Sequence, residues 1–184
     1  MTAYIRPLRA ALCVATLVLL AGPLHAGWIS PTGVPLADTE DMRSTGLFGA
    51  QLVLTTDDVT FRKNWIATQG TPVLPATSHA TRGQHLRALI LFHGCKANAF
   101  GYCNVVADYS VQSPDGTVTP IGTGPVWKGV PSKMGYLQLG QVSADIPFVS
   151  TSPSGTYIVR AVVRDTVANA VVPLTYSRLT YTKP

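Results

Sequence analysis

Histidine is the commonest carrier of catalysis and metal binding, and this chain has four, His25, His79, His85 and His93. His85 and His93 sit eight apart on what reads as one continuous strand. At 3.3 Å per residue they lie roughly 26 Å apart, too far to ligate one metal. His93 and Cys95 share a strand face, and a copper-binding reading would add Met134, but Cys95 has a better use in a disulfide. Glu40 is the only glutamate. A paired-carboxylate hydrolase would have to be assembled from Asp108, Asp115, Asp145 and Asp165, and turns account for Asp115 and Asp165. Asp57 and Asp58 are adjacent, so on a strand they point apart; a helix cap with a solvated neighbour explains them. The chain has no G-x-S-x-G elbow, no H-E-x-x-H and no phosphate-binding glycine loop. These patterns predict no catalytic residue, no metal and no cofactor.

The N-terminus carries an address. Arg6 and Arg9 precede an apolar core from Ala10 to Ala21, followed by Gly22-Pro23 and Leu24-His25-Ala26, the layout of a secretory signal cleaved after Ala26. The core is about a dozen residues, short of the roughly 20 that span a bilayer. Residues 1–26 are therefore expected to be removed, giving a periplasmic or secreted protein with no membrane insertion after processing. The remaining 158 residues carry twelve Lys and Arg against nine Asp and Glu, a net charge of +3. Apart from Arg62-Lys63 these cations are isolated and form no stripe along a phosphate backbone, which argues against nucleic acid as a partner. Processing also removes Cys13, leaving Cys95 and Cys103 in an oxidising compartment. A disulfide is the natural inference, worth about 2.5 kcal/mol for so short a loop.

The elements that would position these residues are strands. Arg87 to Gln112 holds the longest apolar run of the mature chain. Ala88, Ile90 and Phe92 would line one face of a strand and Leu89 and Leu91 the other. Cys103, Val105, Ala107, Tyr109 and Val111 then alternate with Asn104, Val106, Asp108, Ser110 and Gln112. With Cys95 and Cys103 at the neck, the pair is expected to form a stapled hairpin with its tip at Lys96 to Tyr102. Leu47 to Thr56 reads as the first strand, followed by a helical turn or two with Trp65 as core anchor. Val73 to Ala76 is at best a short edge strand, and Tyr157 to Val163 alternates cleanly. Residues 27–46, rich in Gly and Pro, suggest an extended arm, expected to pack on its own domain. Residues 47–184 form one domain of seven to nine short strands, and an antiparallel two-sheet sandwich is the expected solution.

Pro153-Ser154-Gly155-Thr156-Tyr157-Ile158-Val159 resembles the G-x-Y entry into the penultimate strand of bacterial immunoglobulin-like and fibronectin-like domains. The wider pattern is similar to a group of uncharacterised exported proteobacterial proteins. Its marks are Trp65, the HGCKANAFGYC segment, the SPDG turn and the GTYIVRAVVRD strand. The resemblance covers Leu47 to Tyr181 and implies an all-β immunoglobulin-like sandwich. It implies no activity.

What remains is binding. GTGPVWKGVPSKMG, residues 122–135, reads as a Gly/Pro-rich loop with no regular face to bury Trp127. With Lys128, Lys133 and Met134 beside it, the mixture matches the composition of interface cores. Together with Lys96, Phe100 and Tyr102 of the hairpin tip, it is the expected interaction surface; Trp127 could equally plug the end of the sandwich. The function expected is a non-catalytic exported module that recognises a protein or cell-envelope component. Alternatives are a subunit of a pilus or adhesin, with the arm adding a strand to a neighbour, and periplasmic metal binding.

Overall fold

The computed structural model describes residues 27–30, 32–67, 72–133 and 136–183; the expected signal and Met134 lie outside them. In chain order come β1 (Trp28–Ile29), β2 (Pro35–Leu36), β3 (Met42–Thr45), β4 (Phe48–Thr55), α1 (Asp58–Ala67), β5 (His79–Thr81) and β6 (Leu86–His93). Then follow β7 (Cys103–Gln112), β8 (Val118–Gly129), β9 (Gln138–Leu139), β10 (Ala144–Ile146), β11 (Gly155–Asp165) and β12 (Ala170–Thr182). The described chain is thus all-β with one helix.

Of the two five-stranded sheets, the first has the order β10-β6-β4-β3, with β9 also on β6, and the second has the order β5-β12-β11-β7-β8; β1 and β2 form a separate two-stranded sheet. Every pairing is antiparallel except β5 on β12. Phe48, Leu52, Leu54, Ile90 and Phe92 of the first sheet join Val105, Val159, Ala161, Val163 and Leu174 of the second in one buried cluster. The alternation expected for β7 and β11 is observed, with every second side chain buried.

β4 and β6 are apolar on both faces, so the first sheet needs cover on its outer side as well. The helix α1 supplies it. Phe61, fully buried, packs with Val53, Leu89, Leu91 and Leu139. Asp57 caps the helix by accepting the Thr60 N–H at 2.9 Å, and hydrogen bonds from the Thr60 side chain and backbone hold its carboxyl below the usual carboxylate range. Arg62 pairs with Asp58 at 3.0 Å and donates to the Gly140 carbonyl at 2.9 Å, tying α1 to the strands beneath it. The helix is longer than the turn or two expected, and Phe61 rather than Trp65 is its deep anchor.

Three other expectations are corrected. β6 and β7 do not form a hairpin: β6 is already bonded to β4 on one side and β9 and β10 on the other, and β7 to β11 and β8. The Cys95–Cys103 disulfide, with Cα atoms 5.9 Å apart, instead closes the crossing from one sheet to the other. Residues 122–129 are not a loop but the second half of β8. Register shifts opposite Val105/Val106 and Tyr109/Ser110 accommodate Gly122, Gly124 and Pro125, and an edge strand bonded on one side tolerates proline. Residues 73–76 are not a strand, and the edge strand there is β5.

The arm is less separate than its composition suggested. Its last residues form β3, Thr175 N–H donates to the Glu40 carbonyl at 2.7 Å, and Thr45 Oγ1 donates to the Val171 carbonyl at 3.0 Å. Further back, Trp28 is buried edge-on against the His93 ring at 4.9 Å. Gly49 makes room for that ring, because a Cβ there would lie 2.2 Å from His93 Nε2. Burial pushes the His93 pKa below its ordinary value, and a backbone hydrogen bond with Leu47 opposes the shift without cancelling it. The unfolded chain therefore takes up this proton more readily than the folded one. Stability is fully present above the ordinary histidine value of about 6.5 and declines as pH falls through it toward the lower folded value. Urea midpoints should fall between about pH 7.5 and 5.5, with a smaller fall in His93→Phe. An identical slope in the variant would remove His93 as its source.

Candidate functional site

The candidate surface is built around Asp165, a fully buried carboxylate at the end of β11. A buried charge must be satisfied by hydrogen bonds, and Asp165 accepts three from backbone N–H groups: Lys96 at 2.6 Å, Val167 at 3.0 Å and Ala168 at 3.3 Å. The first of these ties the inter-sheet crossing to the β11–β12 turn. Beyond Lys96 the crossing organises itself around Asn98. Its side-chain oxygen accepts from Phe100 N–H at 2.9 Å and Tyr102 N–H at 3.1 Å, and its own N–H donates to the Tyr102 carbonyl at 2.8 Å. Gly101 takes a positive φ of 82°. Held this way, Phe100 cannot fold back, and it is 84% exposed.

A second crossing, from β8 to β9, runs beside the first. Gly129 pairs with Cys103 at its start and Gln138 with Phe92 at its end, so both crossings leave the same end of the molecule. Ser132 N–H donates to Gln138 Oε1 at 3.1 Å, Ser132 Oγ donates to the Tyr136 carbonyl at 2.9 Å, and Tyr136 N–H donates to the Lys133 carbonyl at 3.0 Å. Val130, Tyr136 and Leu137 are exposed along it, and Tyr102 is exposed on its neighbour. Lys96, Lys128 and Lys133 flank them, all exposed and without an ion-pair partner among the described residues.

The structure therefore gathers Lys96, Phe100, Tyr102, Lys128 and Lys133 at one end, as the sequence suggested, and adds Val130, Tyr136 and Leu137. Tyr136 to Leu139 reads as a short strand in the sequence, whereas only Gln138–Leu139 pair, which leaves Tyr136 and Leu137 exposed ahead of β9. Trp127 does not belong to the surface in the same way. It is half-buried, its ring packs 6.2 Å from that of Phe92, and its indole nitrogen is buried without an acceptor. It plugs the core end beneath the loops.

The remaining candidates for chemistry do not converge. His79 bonds Ser78, His85 sits exposed 3.9 Å from Asp145, and His93 is held under Trp28. No group of three or more His, Cys, Asp or Glu able to hold a metal occurs among the described residues. Asp108 accepts from Thr123 at 2.6 Å and from Arg164, and these partners hold its carboxyl below the usual range. A cavity of about 270 Å³ opens between β8 and β10 and is lined by Tyr109, Thr123, Ser143 and Asp145. The Tyr109 hydroxyl is buried without a partner, and burial raises its pKa, so it stays a neutral phenol. Ser143 there donates to the Asp58 carboxylate at 3.4 Å, and that carboxylate is already paired with Arg62. A second cavity of about 200 Å³ lies between the arm and β12.

No family model matches the chain, and no curated protein is similar to it. Among solved structures it is similar to an alkylpurine DNA glycosylase of Pseudomonas fluorescens, bound to DNA containing an abasic-site analogue. Identity is 12% and the TM-score 0.33, over 57% of this chain and 27% of that one. Likeness at that level assigns neither a fold nor an activity to this chain.

Two substitutions separate the plug from the surface. Trp127→Ala should cost stability toward the lower end of the about 3–5 kcal/mol lost when a buried tryptophan is truncated. Phe100→Ala should change it by less than about 0.5 kcal/mol. Denaturant titration of the two variants checks this, and equal costs would break the distinction. Replacing both Cys95 and Cys103 with serine should cost about 2–4 kcal/mol in the same assay.

Proposed function

We propose that the protein is an exported, non-catalytic binding module with an immunoglobulin-like β-sandwich, recognising a protein or cell-envelope component through the end formed by the two crossings. The observation that carries the reading is the exposure of five apolar or aromatic side chains, Phe100, Tyr102, Val130, Tyr136 and Leu137, on loops pinned by hydrogen bonds and a disulfide. Aromatic side chains are enriched at recognition sites, and a contiguous exposed apolar patch rimmed by polar groups marks one.

Two features support the immunoglobulin-like part. The order β5-β12-β11-β7-β8, with β5 parallel to β12, corresponds to a sheet whose last strand is joined by a first strand that has switched sheets. Tyr157, near the start of the penultimate strand, donates its hydroxyl to the Pro153 carbonyl at 2.8 Å, as a tyrosine corner does. In that topology the β6–β7, β8–β9 and β11–β12 connections share one end, the end antibodies use for recognition. That parallel is an analogy of fold. The arm's engagement with its own sheets favours the binding module over a subunit that donates the arm to a neighbouring copy.

The export part of the reading has its own test: protein recovered from the periplasm should have an intact mass beginning at Gly27, and a mass retaining residues 1–26 overturns it. For the surface, the Phe100→Ala/Tyr136→Ala double variant should keep the parent's urea midpoint and lose at least tenfold in capture of envelope material. Full capture by the double variant would place recognition elsewhere.

A further inference from the structure

We propose that the occupant of this end is the surface of an anionic phospholipid bilayer, docked without any segment crossing it. The inference rests on the reading of the two crossings as a binding surface, and it names the partner.

Charge is the first argument. Lys96, Lys128 and Lys133 frame the exposed apolar side chains, and the acidic groups lie away from them. Asp57, Asp58, Asp115 and Asp145 belong to the opposite end, reached by the far ends of β4 and β7 and by the β10 pairing with Arg87. Glu40 and Asp41 sit beside β3, at the edge of the first sheet remote from β9, and Asp38, nearer the His93 end at that same edge, is taken up by Ser44 N–H and Oγ. Asp108 is paired with Arg164, and Asp165 is buried and taken up by backbone N–H groups. An end that shows cations and no free carboxylate complements a layer of phosphate headgroups.

Side-chain type is the second argument. Tyr102 and Tyr136 combine an apolar ring with a polar tip and suit the headgroup level, whereas Phe100, Val130 and Leu137 suit the acyl boundary below it. Lysine stems can lie along the apolar groups while their ammonium ends reach phosphate. Shape is the third. Neither of the two cavities described involves these residues: they stand exposed beside the Asn98 and Ser132–Gln138 bonds. Exposed tips outside a pocket suit a partner that deforms around them, as a lipid interface does.

The test is co-sedimentation with large vesicles of phosphatidylcholine alone and of equimolar phosphatidylcholine and phosphatidylglycerol. Parent and variants carry the same N-terminus, so any contribution from residues 1–26 cancels. The parent should bind mixed vesicles at least tenfold more tightly than neutral ones, and the preference should shrink as salt shortens the screening length. Each lysine near an anionic surface is worth about fivefold, so the Lys96→Gln/Lys128→Gln/Lys133→Gln variant should lose on the order of a hundredfold. A control with Lys63→Gln/Arg82→Gln/Lys183→Gln removes the same net charge from exposed positions elsewhere and should bind like the parent. Phe100→Ser/Tyr136→Ser should lose binding with an unchanged urea midpoint. Equal losses in the two charge variants would reduce the effect to net charge and overturn the proposal. Absence of parental binding to mixed vesicles at low salt would overturn it as well. If the Phe100/Tyr136 variant in that case still abolished capture of an envelope protein, the surface reading would stand with a protein as occupant.

Discussion

β6 sets the terms for the rest of the chain. Its core, Ala88 to Phe92, is apolar on both faces, and the strand is hydrogen-bonded along both edges, so it can neither face water nor accept another strand. One face requires the second sheet and the other requires α1, which explains a helix in an otherwise all-β chain. With both edges occupied, the chain leaving His93 has to cross to the other sheet. Gly94 makes the exit possible: its φ is +70°, and a Cβ there would fall 1.8 Å from the Leu47 carbonyl oxygen. The crossing that carries Phe100 is thus a consequence of how β6 is buried.

Two different forces then hold that crossing. The disulfide limits how far its ends can separate in the unfolded chain, and Asp165 fixes its direction in the folded one by drawing the Lys96 N–H inward. A carboxylate buried beside backbone N–H groups is stable only while all of them stay in place, so the crossing and the β11–β12 turn are coupled. Rigid loops of this kind keep apolar side chains in water at a steady free-energy cost, and a binding role gives that cost a reason.

Much of this was legible in the residues. Strict alternation located β7 and β11 and the buried halves of each, because a period of two has one solution on a one-sided sheet. The double-sided run of β6 was equally plain. Pairing was not: two adjacent strands with cysteines at the neck suggest a hairpin, and only competition for β6's edges, a property of the whole fold, excludes it. β8 was hidden for the opposite reason. Thr117 to Ile121 reads as a short strand, but the following Gly122, Gly124 and Pro125 are loop residues by composition, and an edge strand with bulges is one of the few strands that tolerates them. Reading it as loop freed Trp127 from its burial, so a half-buried residue packed on Phe92 was counted with the exposed residues of the proposed surface.

A β protein can meet a partner at a strand edge or at its loops, and the long edges of the second sheet discourage an added strand. β8 is a long edge, but Pro120 and Pro125 remove donors and the register shifts bend its ladder, both of which discourage an added strand. On the opposite side, Glu40 and Thr45 take up the Thr175 N–H and the Val171 carbonyl of β12, so the arm seals that seam. At the end reached by the far ends of β4 and β7, the 113–117 turn satisfies itself, with Asp115 accepting from Thr117 N–H at 2.9 Å and Gly116 N–H bonded to the Ser113 carbonyl at 2.9 Å. The loops at the end nearest His93 are also satisfied in their backbones, and Phe100, Tyr102, Val130, Tyr136 and Leu137 stand exposed on them. The bonds that complete the backbone around Asn98 and Ser132 thus set where those side chains stand.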